Sequence, residues 1–152
     1  MPIKKNQKIK YIQTVGKRKS AVALIRIYNI DKNKKITINN ILLKQGDIII
    51  NKKHLIEVFP FEVHRKIITK PLILTNSEEK YIISINLYGG GYKGRAEAIS
   101  HGIAKALVLI DSEKYKSILK KNKLLTRDPR VKERRKVGTG GKARRKKQSP
   151  KR

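Results

Sequence analysis

The sequence predicts an α+β fold, a small mixed sheet with helices on one face, followed by a long extended basic C-terminal tail. Strand-like segments come first, helix-like segments follow, and a further strand and helix close the pattern, as expected of helices collected on one side of a sheet. Hydrophobic residues make up 38% of the 152 residues but aromatics only 5%, which supports one modest core of Ile, Leu, Val and Ala. From about Asn122 onward the apolar periodicity stops and basic residues accumulate. The expected divisions are therefore a basic N-terminal extension (1–10), a globular α+β body (11–121) and the tail (122–152).

Each element follows from its own pattern. Residues 20–28 (SAVALIRIY) are rich in β-formers, with Val22, Leu24 and Arg26 on one face and Ala23, Ile25 and Ile27 on the other, which predicts a strand. After the turn residues 29–34, two short apolar runs, 36–38 and 47–50, read as strands separated by a loop over 39–46. Residues 52–59 and 61–69 are more helical, with Pro60 breaking the first and Pro71 stopping the second. A polar turn at 76–79 precedes a strand at 81–88 (YIISINLY). The loop GGGYKG then leads to a helix from Arg95 to about Ile110, whose Ala96, Ile99, Ile103, Leu107 and Ile110 recur at helical spacing. A last helix is expected over 112–120 with Ser112 as its N-cap.

Charge narrows the function. There are 39 Lys or Arg against 11 Asp or Glu, a formal net charge of +28. Self-repulsion on that scale opposes compaction unless an anionic partner neutralises it, so the isolated chain is expected to be only partly ordered. The sequence has no Cys, which excludes disulfides, thiolate metal clusters and a cysteine nucleophile. No stretch approaches the roughly 20 apolar residues needed to span a bilayer, and the basic start carries no secretory h-region. No membrane partner, cofactor or small-molecule substrate is expected.

The candidate sites are basic. Lys17, Arg18 and Lys19 lead into the first strand, where they are expected to meet phosphate. In GGGYKG, backbone N–H groups of Gly90, Gly91 and Gly94 at a helix N-terminus, reinforced by Lys93 and Arg95, suit an RNA phosphate. The spacing matches neither nucleotide-binding glycine motif, and a purely steric turn remains the alternative. His54, His64 and His101 are too scattered for a metal pair, and Glu78 and Glu79 sit adjacent in a turn, so no catalytic or metal residue is assigned. His101 reads as a half-buried partner or an RNA contact. The tail carries Arg127, Arg130, Lys132, Arg134, Arg135, Lys136, Lys142, Arg144, Arg145, Lys146, Lys147, Lys151 and Arg152 against Asp128 and Glu133. Arg offers bidentate donors and Lys point charges, while the interspersed glycines let backbone follow a folded RNA closely. By itself such a tail cannot offset its ordering entropy, and it is expected to become extended on a partner.

In order along the chain, GKRKSAVALIRI, GDIIINKKHLIEVF, KPL, GGGYKGRAEAISHGIAKAL, LLTRDPRVKERRKVG and the terminal KARRKKQSPKR resemble the bacterial and organellar type of small-subunit ribosomal protein nine, over nearly all of 14–152. The resemblance implies a ribosomal S-five second-domain-like fold seated on small-subunit rRNA in the head of the subunit, beside neighbouring head proteins. It implies a tail threading to the anticodon stem-loop of P-site tRNA. By position, Lys17 to Lys19 match the family's basic lead-in, Gly89, Gly90, Gly91 and Gly94 its glycine loop, and Arg127 to Lys136 its R-D-x-R-x-x-E-R-K-K segment. The remaining tail cations Lys142, Arg144, Arg145, Lys146 and Lys147 fall to rRNA, and Lys151 and Arg152 match the final pair that meets tRNA. The chain departs from the family in three places. The region between Tyr28 and Gly46 is long, which predicts a protruding extra lobe; one residue is added after Gly138; and Ser149 stands where an aromatic is customary, leaving charge as the means of tRNA contact.

Two rivals stay open at this point. A phosphate-handling enzyme built on GGGYKG would bind nucleotide through Lys93, and a nucleic-acid-compacting protein would sediment with bulk DNA. The Ile, Asn and Lys bias, with the plastid-like LLTRDPRVKERRK, favours an organelle, a plastid ahead of a mitochondrion, or an AT-rich bacterial cytoplasm.

Overall fold

The structure is a computed structural model that describes residues 10–30, 35–38 and 41–137. Strand β1 (Ile12–Arg18) and strand β2 (Ala21–Asn29) form an antiparallel hairpin whose register runs from Ile12↔Ile27 to Arg18↔Ala21. Lys19, at φ +51°, makes the tight reversal that a two-residue hairpin turn requires. This first strand has no sequence expectation behind it, because IQTVGKR is largely polar and interrupted by glycine. It is held by pairing and by the helix beneath it.

The central strand β7 (Tyr81–Tyr88) pairs antiparallel with β2 and parallel with β5 (Ile48–Ile50), which in turn pairs antiparallel with β6 (Lys53–His54). The mixed sheet therefore has the order β1-β2-β7-β5-β6. Ala23, Ile25 and Ile27 point to one face, as their alternation predicts, and join Ile83 and Ile85 in the main core.

Helices α1 (Leu55–Val58), α2 (Glu62–Leu74), α3 (Tyr92–Ile110) and α4 (Ser112–Lys121) follow, and the last three supply the rest of that core from one face. Ile99, Ile103 and Leu107 of α3 are fully buried, and burial of side chains of this size contributes about 1.5–3 kcal/mol each. The helix lies unusually close to the hairpin. A Cβ on Gly16 would stand 1.9 Å from the Ala98 carbonyl oxygen, and one on Gly102 would stand 2.3 Å from Ile25 Cδ1. Thr14 Oγ1 donates to the Gly102 carbonyl at 2.8 Å across the same contact.

Several expectations are corrected. The stretch 52–59 is not one helix, since Lys53 and His54 form β6 and only Leu55–Val58 is helical. Pro71 does not stop its helix: α2 continues to Leu74. A mid-helix proline costs about 3 kcal/mol, and here Pro71, Leu72 and Ile68 are all buried against the core, which offsets that cost. Tyr92, Lys93 and Gly94 belong to the first turn of α3, so only Gly89, Gly90 and Gly91 are loop. Asp111, not Ser112, caps α4, its carboxylate accepting from Lys114 N–H at 3.1 Å.

The segment between Tyr28 and Gly46 does not protrude as a lobe in its described part. Strands β3 (Ile36–Ile38) and β4 (Ile41–Leu43), the latter within the expected loop, form a hairpin on the far face of the sheet. Ile36 and Leu43 bury there against Tyr28, Ile49 and Ile82, making a second small core. Because β-strand side chains alternate, the face opposite the helices at one end of β2 and β7 is also apolar and needs this cover.

Both α2 and α4 end in the same six-to-one turn. Ser77 N–H bonds to Leu72 O at 2.9 Å after Asn76 at φ +49°, and Leu124 N–H bonds to Leu119 O at 3.0 Å after Lys123 at φ +56°. The left-handed position suits Gly or Asn, whereas an ordinary residue there costs about 1–2 kcal/mol.

Candidate nucleic-acid interface

The glycine loop is shaped first by packing. Gly89 (φ +63°) and Gly90 (φ +68°) are left-handed, and a Cβ on them would stand 2.6 Å from Ser20 O and from Ala21 Cβ respectively. Arg95 does not face outward freely, because its Nε donates to the Gly89 carbonyl at 2.8 Å and stitches the loop to α3. Gly91, with open space where a Cβ would stand, caps α3 without a side-chain bond, so the first N–H groups of a 19-residue helix and the exposed Lys93 remain available to an anion.

Arg18 is also committed to protein. Its Nε donates to Glu97 Oε2 at 2.7 Å, its Nη2 lies 3.1 Å from Asp128 Oδ2 and its Nη1 donates to the Arg130 carbonyl at 2.5 Å, with 12% of the side chain exposed. The expected phosphate ligand is thus the clamp that holds the root of the tail against α3. Asp128 in turn takes Nε and Nη2 of Arg130 at 2.8 to 3.2 Å and its N–H at 3.0 Å. Those bonds, with the charge of Arg18, hold the Asp128 carboxyl well below the usual carboxylate range.

Beyond the clamp, residues 129–137 run without helix or strand and are all exposed. Lys132, Arg134, Arg135 and Lys136 line this run, and Lys17, Lys19 and Arg127 are exposed beside its root. Lys142, Arg144, Arg145, Lys146, Lys147, Lys151 and Arg152, like the departures after Gly138 and at Ser149, lie outside the described residues.

The fold adds two cations that no local pattern marks. Lys70 of α2 and Lys123 after α4 meet Lys17 and Arg127 around a cleft of about 270 Å³, whose walls include Ile67, Leu124 and His101 and whose carboxylates are Glu97 and Asp128. His101 is half-buried with Nε2 3.3 Å from the Leu125 carbonyl, so of its two expected roles it has the protein partner. Burial lowers its pKa against the opposing effect of that bond, helped by Lys105 and Arg127, so the ring is neutral at pH 7.

Among the described residues no group of three or more His, Asp or Glu could hold a metal ion, and no helix is long and apolar enough to cross a membrane. A small α+β body with exposed cations from several elements, carrying an extended basic strand of backbone, defines a nucleic-acid-binding protein that recognises phosphate mainly by charge. Comparison with protein families matches the one described as ribosomal protein S9/S16 over residues 16–152. The chain belongs to the ribosomal protein S9/S16 family. Its place is therefore the ribosome and its work translation, as an RNA-binding member of a family whose kind is structural.

Proposed function

We propose that the chain is a structural constituent of the small ribosomal subunit that binds small-subunit rRNA in the head, next to other head proteins, and contacts the anticodon stem-loop of P-site tRNA through Lys151 and Arg152. The observation that carries this reading is the clamped root of the tail. Arg18 fixes where the chain leaves the body, and the following residues 129–137 are exposed with cations and no secondary structure of their own. A segment fixed at one end and solvated along its length suits wrapping a polyanion, since its ordering is offset by counterion release on contact. The rRNA contacts proposed are Lys17, Lys19, Gly91 and Lys93 of the body and the exposed tail cations from Arg127 onward, with Arg18, Gly90, Gly94 and Arg95 shaping the surface that presents them. The compartment proposed is a plastid, on the residue bias and the LLTRDPRVKERRK segment, with a mitochondrion or a bacterial cytosol as the alternatives.

Deleting Lys151 and Arg152 tests the tRNA assignment. Small subunits carrying the truncated chain should assemble normally and retain P-site tRNA less well. Blocked assembly with unchanged tRNA affinity would remove the role assigned to these two residues.

A further inference from the structure

The cleft between α2, α3 and the root of the tail has a composition unlike a solvated charge cluster. Five cations line it, Lys17, Arg18, Lys70, Lys123 and Arg127, against two carboxylates, Glu97 and Asp128, and both carboxylates are already bonded to Arg18. The other four cations come from three separate parts of the fold, and among the described residues none of them forms an ion pair with a carboxylate. Ile67 and Leu124 give it apolar walls as well. At about 270 Å³ it admits one nucleotide-sized group and not a duplex.

A second observation points the same way. Of the two helix ends that close with a left-handed residue, α2 uses Asn76, which tolerates that conformation, while α4 uses Lys123, which does not favour it. Lys19 and Lys52 are left-handed too but lie in turns that do not line the cleft, whereas the turn after α4 carries its ammonium to the cleft wall.

We propose that this cleft is a docking site for the sugar-phosphate backbone of an RNA strand, with Lys70 and Lys123 completing a phosphate contact begun by Lys17 and Arg127. The proposal rests on the rRNA-binding reading above and adds to it a site and two residues. Free phosphate would satisfy the same charges, and the apolar walls favour a nucleotide of a strand over a bare anion.

The test uses the full chain and small-subunit rRNA, with affinity measured against salt. Each phosphate contact contributes about 0.7–0.9 to the slope of log K against log salt, so between 50 and 200 mM salt each lost contact removes about a threefold part of the affinity fall. Lys123→Gly should lower that slope by about this amount while leaving the melting temperature unchanged or higher, because glycine relieves the left-handed strain. Lys70→Gln should lower the slope likewise, without touching that turn. Lys44→Gln, the same charge change outside the cleft, should have little effect. Parental slopes for both cleft variants, or an equal fall for Lys44→Gln, would overturn the proposal. So would a melting shift from millimolar inorganic phosphate that Lys123→Gly abolishes while rRNA slopes stay parental, which would assign the cleft to a small anion. If the parent chain itself shows no salt-dependent rRNA binding, the rRNA reading fails before the cleft is at issue.

Discussion

Arg18 shows how a residue's surroundings redirect its chemistry. In the sequence it is one of three adjacent cations with the same expected role, yet Lys17 and Lys19 are exposed while Arg18 bonds Glu97, Asp128 and the Arg130 carbonyl. The one signal available was Asp128, an acid within an otherwise basic stretch, but its partner lies 110 residues away in sequence and no local rule names it. Arg18→Gln leaves Glu97 without its charged donor and should cost about 1.5–3 kcal/mol, read from the denaturation midpoint. It should also speed tryptic cleavage after Arg127 and Arg130. Parental midpoint and cleavage together would show that the clamp does not hold the tail. Asp128 has a depressed folded pKa, so its contribution is present above the unfolded value near 4 and fades as pH falls toward the depressed one. Cleavage at Arg127 should accordingly be insensitive to pH above about 5. His101 differs in window though not in sign. It is a base whose folded pKa lies below the usual 6.5, so its contribution is complete above that value and declines as pH falls through it. Stability should drop as pH falls below about 6.5 in the parent, and the drop should be smaller in His101→Gln, compared by denaturation at each pH.

Elements were legible where one period dominates and obscure where tertiary contact decides. Strand β7 and the apolar stripe of α3 follow directly from YIISINLY and from Ala96, Ile99, Ile103 and Leu107. Strand β1 is polar and broken by Gly16, β4 and β6 have three and two residues, and all take their stability from neighbours, so composition hides them. Helix α2 runs through Pro71 because burial outweighs a local penalty that sequence rules treat as final. The close seating of α3 on the hairpin gives an element-scale prediction. Gly16→Ala drives a Cβ into the Ala98 carbonyl and the Gly102 nitrogen, backbone atoms that cannot rotate aside, and should cost about 3 kcal/mol. Gly91→Ala, with open space around it, should cost less than about 1 kcal/mol as a change of N-cap residue. Equal losses in the two variants, by chemical denaturation, would refute the close-approach account.

For the molecule as a whole, the +28 charge governs both stability and partner. Screening lengths fall from about 10 Å at 0.1 M salt to about 3 Å at 1 M, so self-repulsion in the unbound chain should weaken across that range. The melting temperature of the free protein should therefore rise with salt while its affinity for rRNA falls, and a melting temperature indifferent to salt would contradict the repulsion argument. The sequence alone determined the α+β class, the sided sheet and the kind of partner, because each rests on composition or on a period counted within one segment. The tertiary structure decided the rest. It bonded Arg18 to Glu97 and Asp128 and Arg95 to the Gly89 carbonyl, laid the β3–β4 hairpin on the sheet, and drew Lys70 and Lys123 to the cleft beside Lys17 and Arg127. Those are distances between residues far apart in the chain, which only packing of the elements brings into being.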